Sequence, residues 1–271
     1  VKEFKAIVLN HIDDCIFLDK SAFYPTSGGQ EHDIGYIGES KVIDVRKQGN
    51  LIIHKVDKVT VDKGQEVECR IDWKRRQQLT INHSAVHVIN GAARKILGNH
   101  IWQAGSDVKV EKARLDITHF RQLSVEEIKK IEEEANKIVK KGLEVKKMVL
   151  PRNLAEKRYG FRLYQGGAVP GNEIRVINIK NFDVEACGGT HVDNIKDIKA
   201  IKILKTSKIS DGVVRIELVA GEKALEQNKK EEDLLNEASK LLNVKPNEVP
   251  ARAEELFIKW KQARKGKKLG I

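Results

Sequence analysis

Two pairs of metal-seeking side chains stand out in this sequence. His83-Ser84-Ala85-Val86-His87 sets two imidazoles at i, i+4, a spacing that puts both on one face of a helix. Much later, Cys187-Gly188-Gly189-Thr190-His191 offers a thiol and a third imidazole around two glycines. Glycines allow a tight loop that turns both donors toward one point. Three imidazole nitrogens and one thiolate make a tetrahedral zinc set. Each pair alone has an ordinary explanation, as solvated helix histidines or as a small apolar thiol. Both pairs together favour a metal over coincidence. Four protein donors suggest a closed structural site, whereas release of one would admit water or substrate. The residue pattern leaves that choice open.

Two further segments carry polar groups beside glycines. In Phe23-Tyr24-Pro25-Thr26-Ser27-Gly28-Gly29-Gln30, the glycines permit close approach to a ligand, although a hairpin turn is the simpler reading. In Ile101-Trp102-Gln103-Ala104-Gly105-Ser106, Gln103 reads first as an exposed strand residue. No nucleophile triad, acid–base dyad or P-loop is present.

These residues need elements to hold them. Short apolar or alternating runs at Phe4–Leu9, Cys15–Leu18, Val42–Val45, Leu51–Val56 and Val67–Ile71 predict strands. Turn clusters at His11–Asp14, Pro25–Gly29 and Gln48–Asn50 separate them, so residues 1–76 predict a small β-barrel or sandwich. Helical spacing runs from Trp73 to Leu97, with Ala85, Ile89, Ala92 and Ile96 as its apolar stripe and the histidines on the opposite side. Ser124-Val125-Glu126-Glu127 is a capping box opening a second helix, whose Ile128, Ile131, Ala135 and Ile138 face inward. Strands are predicted near Val108–Val110, Arg114–Ile117, Leu143–Leu150, Ile174–Ile179, Ala200–Thr206 and Val213–Val219. Residues 77–220 therefore predict an α+β domain. Residues 221–271 predict helices to about Leu242 and Lys265, broken at Pro246 and Pro250. Val249, Ala253, Leu256 and Trp260 lie on one side of the second, which is expected to pack on the body or on a neighbouring domain.

The chain of 271 residues is 33% charged and 40% hydrophobic, with formal net charge +11. That composition suits a folded protein of more than one domain with a polyanionic partner. Residues 1–76 carry 13 basic and 13 acidic side chains, 77–220 carry 25 and 17, and 221–271 carry 12 and 9. The excess thus lies mainly in the stretch holding all four metal-seeking residues, which favours nucleic-acid phosphates over a membrane. No run of 18 apolar residues and no signal peptide is present. Cys15, Cys69 and Cys187 cannot all pair, which points to a reducing, cytoplasmic setting. The basic run Lys259, Lys261, Arg264, Lys265, Lys267 and Lys268 reads as a solvated helix end.

FYPTSGGQ, NHSAVH, IWQAGS and EACGGTHVDN, in that order, resemble the editing region of alanyl-tRNA synthetases and the related free-standing alanyl-tRNA editing proteins. The likeness covers about residues 1–220. Tyr159-Gly160-Phe161-Arg162-Leu163-Tyr164-Gln165-Gly166-Gly167, the helices after Gly221 and the start at Val1 look more like a fragment of an archaeal-type synthetase. The resemblance implies hydrolysis of Ser-tRNA(Ala) and Gly-tRNA(Ala), with Zn2+ on His83, His87, Cys187 and His191. It implies Gln103 and Thr190 as catalytic candidates and Gly28, Gly29, Gln30, Gln103 and Ser106 as substrate-binding candidates. Partners implied are the tRNA(Ala) acceptor end, an aminoacylation domain upstream in the parent chain and a homodimer contact beyond the C-terminal end. Val86 departs from members that carry Thr before the second histidine, so a hydroxyl contact there is missing. Alternatives are a trans-acting free-standing deacylase, a tRNA-binding module with purely structural zinc, and the related threonyl-tRNA editing domain. The FYPTSGGQ segment in a preceding barrel speaks against the last.

Overall fold

The computed structural model describes residues 1–264. Lys265, Lys267 and Lys268 of the basic run lie outside the described residues. Six strands come first: β1 (Glu3–Ile12), β2 (Cys15–Leu18), β3 (Gly35–Ile37), β4 (Ser40–Gln48), β5 (Leu51–Val56) and β6 (Glu66–Ile71). They close into a barrel in the order β1-β2-β5-β4-β3-β6. Side-chain alternation drives the closure. In β6, Val67, Cys69 and Ile71 are buried while Glu66, Glu68 and Arg70 face outward. With Ala6, Val8, Ile16, Ile37, Val42 and Val45 they fill a core of their own. Cys69 serves there as a small apolar side chain, and burial pushes its thiol up to about 12. All three cysteines are free. β1 runs on through Ile12, so the expected turn at His11–Asp14 contracts to its last two residues, with Asp13 at φ 49°.

A larger α+β body follows. It comprises α1 (Trp73–Leu97), β7 (Gln103–Val108), β8 (Ala113–Thr118), α2 (Val125–Lys141), β9 (Val145–Pro151), α3 (Arg152–Tyr159), β10 (Glu173–Ile179), β11 (Asp183–Ala186), β12 (Ile201–Ser210) and β13 (Val213–Ala220). One sheet has the order β12-β13-β8-β7 and the other β11-β10-β9. α1 and α2 share one apolar core with the four-stranded sheet, built from residues such as Ile89, Leu115, Ile117, Ile131 and Ile216. The predicted capping box is present: Ser124 Oγ accepts from Glu127 N, and the Glu127 carboxylate accepts from Ser124 N. Ile131, Ala135 and Ile138 are buried as predicted, and Ile128 partly so.

α1 departs from the simple amphipathic expectation. Every residue from Asn82 to Arg94 is buried, so the histidine face points into the protein too. The apolar stripe packs in the main core, and the opposite, polar face receives the loop that follows β11. Sequence reading missed β3, β11 and α3. β3 and β11 are only three and four residues long. α3 follows Pro151, which also ends β9.

By its contacts the chain divides into Val1–Glu222 and a unit from Lys223 onward. The second unit contains α4, which begins at Glu222 (Glu222–Leu242), and α5 (Val249–Arg264). Pro250 does not break α5. It occupies the first turn, where a missing N–H costs nothing. Within this unit α5 buries no residue, and Trp260 is 53% exposed. No helix among the described residues is long and apolar enough to cross a membrane.

Candidate metal centre

The site begins with the segment between β2 and β3, which α1 pins down. Arg76 makes a forked pair with Asp33, whose side chain is wholly buried, and also donates to Ala22 O at 2.7 Å. Arg75 reaches Glu31 at 2.9 Å and His32 O at 3.1 Å. The Ser27–Gln30 turn has Gly28 at φ 56° and Gly29 at φ 78°, so the hairpin-like reading of the glycines holds. The turn also pairs with the end of β7, through Val108 N to Gly29 O at 2.6 Å and Glu31 N to Val108 O at 3.1 Å. A Cβ on Gly29 would fall 2.5 Å from Ser106 Oγ, so the close approach needs glycine.

That turn delivers Gln30 into the protein. Gln30 is 0% exposed. Its Oε1 accepts from Thr190 N at 3.0 Å, from the Thr190 hydroxyl at 3.1 Å and from His83 Nδ1 at 2.7 Å. The backbone donor of Thr190 fixes which end of the amide is the oxygen. His83 must then carry its proton on Nδ1, leaving the Nε2 lone pair free.

The four sequence-predicted donors converge. One ligand atom from each of His83, His87, Cys187 and His191 lies within 4.8 Å of every other. Cys187 Sγ is 3.5 Å from His83 Nε2 and 3.3 Å from His191 Nε2. Tetrahedral bonds of zinc length place such donors roughly 3.3–3.8 Å apart. The residues therefore fit a zinc ion without rearrangement of the fold. Of the two loop glycines only Gly189 is dictated by space, since a Cβ there would sit 2.1 Å from His83 Cε1. Gly188 has nothing nearby. Arg175 holds the loop by donating to Cys187 O at 2.7 Å and Gly189 O at 2.8 Å.

Two of the imidazoles have a hydrogen-bond partner on the far nitrogen, the arrangement that orients metal-binding histidines, and the third faces two carboxylates. His83 uses Gln30. His191 Nδ1 lies 3.3 Å from Ser84 Oγ, which itself donates to Thr80 O. His87 Nδ1 faces Glu185 at 3.5 Å and Asp183 at 3.8 Å. Sequence reading missed both carboxylates, because they lie on the short strand β11. The basic pair Arg75 and Arg76 was also passed over.

Electrostatics suit a cation. Burial, helped by Arg175, lowers the pKa of His83 to about 4, and burial with neighbouring positive groups takes His191 well below the usual range. Both are thus neutral donors at pH 7. Burial opposes ionisation of Cys187, but the His87 contact, the Gly189 N–H and Arg175 outweigh it and hold the thiol below its ordinary value. Burial pushes Asp183 and Glu185 up, and their mutual proximity adds to the rise in Asp183.

The other candidates sit on the adjoining strand and loops. Gln103 Nε2 is 3.4 Å from Ser106 Oγ, and Ser106 touches the Gly29 turn. Gly166 N donates to Gln103 O, and Gln165 Oε1 accepts from Gln103 N. Gln103, Ser106, Gly29, Gln30 and His83 therefore form one continuous series of contacts. Thr190 is committed: its hydroxyl donates to Gln30 and accepts from Thr80 at 2.8 Å.

Known proteins resemble the chain along nearly all of its length. Residues 174–217, which include Cys187 and His191, match the family described as threonyl and alanyl tRNA synthetase second additional domain. Residues 1–75 match the class II (A) tRNA synthetases. The chain is 48% identical over 270 residues to the alanine–tRNA ligase of Pyrococcus abyssi, covering 98% of this chain and 30% of that protein. It is 48% identical over 271 residues to the enzyme of Methanopyrus kandleri, covering 97% and 30%. It is 45% identical over 266 residues to that of Methanococcus aeolicus, covering 97% and 29%. The chain thus spans about 30% of the length of these relatives.

Proposed function

We propose, from the premise that this chain is homologous to a segment of the archaeal alanine–tRNA ligases, that it hydrolyses the aminoacyl ester of tRNA(Ala) wrongly charged with serine or glycine. The observation that carries the reading is the convergence of His83, His87, Cys187 and His191 beside the strand bearing Gln103 and Ser106. A bound zinc ion would supply a positive charge able to polarise an ester carbonyl or lower the pKa of water.

The protein's own residues do the selecting. An alanine-activating pocket discriminates poorly against serine, which adds only a hydroxyl, or glycine, which lacks only a methyl. In the proposed site Gln103 and Ser106 pair with the serine hydroxyl. Alanine leaves them unpaired, at a cost of about 1–3 kcal/mol. Gln30 and Thr190 act as positioning residues, since both are already committed to each other and to His83. Hydrolysis adds water across the ester C–O bond, releasing the amino acid and restoring the terminal ribose hydroxyl of the tRNA. The basic excess of residues 77–220 attracts the acceptor end through its phosphates. We place this editing region at 77–220, the barrel at 1–76 and the helical segment at 221–271, all in the cytoplasm. In this reading the aminoacylation domain and any dimer contact belong to other parts of the relatives.

A second reading is a tRNA-binding module with structural zinc, and the burial of the three histidines in a complete ligand set favours it. Incubation with Ser-, Gly- and Ala-tRNA(Ala), with metal measured on the same sample, separates the two. Loss of serine from the first substrate supports the hydrolase. Bound but intact Ser-tRNA(Ala) supports the module.

A further inference from the structure

We infer that Asp183 and Glu185 are positioning residues that fix the tautomer of His87, and so turn its Nε2 toward the metal. The inference rests on the metal-centre reading of the four donors. The arrangement is closed and dry. The side chains of His87, Asp183 and Glu185 are 2%, 0% and 4% exposed. His87 Nδ1 lies 3.5 Å from Glu185 Oε2 and 3.8 Å from Asp183 Oδ2. Among the described residues neither His87 Nδ1 nor Asp183 Oδ2 has a partner at full hydrogen-bond geometry.

An unpaired imidazole nitrogen at that depth is costly, and only carboxylate oxygens face it. Even with one proton shared between the two carboxyls, acceptor lone pairs remain toward the ring, which presents Nδ1–H to them. The Nε2 lone pair is then available on the Cys187 side. The carboxylates are themselves held. Arg94 donates to Asp183 Oδ1 at 2.9 Å, and Asn90 donates to Glu185 Oε1 at 2.7 Å. Asn90 also reaches Gln165 Oε1 at 3.3 Å, the acceptor for Gln103 N. The orientation of His87 and the seat of Gln103 are therefore set by one buried network. A second cation among His87, Asp183 and Glu185 would have to sit against the Arg94 guanidinium, which opposes it.

Glu185→Gln is the informative variant. It keeps the shape and leaves the Arg94–Asp183 pair in place. With the oxygen of the new side-chain amide retained by Asn90, its N–H faces His87 Nδ1 and favours the opposite tautomer. Zinc affinity of the full chain is measured by competition with a chromophoric chelator. The His87 tautomer is read by nitrogen NMR of the metal-free protein, and circular dichroism checks the fold. The expected result is a folded Glu185→Gln protein with zinc affinity lowered about 10–100-fold and the His87 proton moved to Nε2. Asp183→Asn should act in the same direction; if removing the partner of Arg94 unfolds it, Glu185→Gln decides alone. Unchanged affinity and tautomer in Glu185→Gln overturn the inference and leave the metal centre standing. Two zinc ions per chain overturn it as well. A parent chain that takes up no zinc overturns both readings.

Discussion

Gln30 Oε1 lies 2.7 Å from His83 Nδ1, although one residue follows a barrel strand and the other sits in the middle of α1. The contact makes the barrel a part of the metal centre. Barrel closure and the Arg75–Arg76 clamp position the turn, the turn positions Gln30, and Gln30 orients an imidazole. Gln30→Ala should therefore weaken zinc binding about 10–100-fold while the barrel stays folded. Chelator competition with circular dichroism on the same sample checks this, and wild-type affinity would show that the contact is incidental.

The two glycines of the Cys187 loop should behave differently. Gly189→Ala forces a methyl to within 2.1 Å of His83 Cε1, so ring or loop must move and metal content should collapse. Gly188→Ala meets nothing and should retain metal. Equal metal content in the two variants, measured by emission spectrometry, would contradict the packing described for this loop.

Arg76→Ala removes the charged partner of a buried carboxylate. Leaving Asp33 enclosed with only the Tyr24 N–H should cost about 3–5 kcal/mol, seen as a lower urea midpoint. A loss below ~1 kcal/mol would mean that the loop relaxes and lets water reach Asp33.

The α2 capping box gives a pH dependence. The Arg121 contact, with the Ser124 N–H, holds the Glu127 carboxyl at about 2. A depressed carboxyl stabilises the fold fully above its unfolded value, near 4.5. That contribution is lost as pH falls through the folded value. Thermal melts should therefore show a fall between about pH 4.5 and 2 that is shallower in Glu127→Gln. Parallel curves for the two proteins would remove Glu127 from the acid transition.

Much of this arrangement is legible in the sequence because short-range patterns carry it. The i, i+4 histidines, the capping box and the β6 alternation are each set by local periodicity, and α1, β2 and β5 fall where that periodicity puts them. What escapes is long-range. Nothing local tells that the polar side of α1 is buried, because its cover arrives from β11 and the Cys187 loop far along the chain. For the same reason Asp183 and Glu185 look like ordinary strand carboxylates until His87 is set beside them.

The central claim is that this chain removes serine from tRNA(Ala) at the His83, His87, Cys187 and His191 centre. The most direct measurement is single-turnover deacylation of Ser-tRNA(Ala) and Ala-tRNA(Ala) by the wild-type chain and by Cys187→Ala, with zinc quantified in both. The prediction is about one zinc per wild-type chain. It includes rapid release of serine, sparing of Ala-tRNA(Ala), and loss of both metal and activity in the variant. Intact Ser-tRNA(Ala) in the presence of folded, zinc-loaded wild-type protein would contradict it, as would undiminished turnover by a folded, metal-free variant.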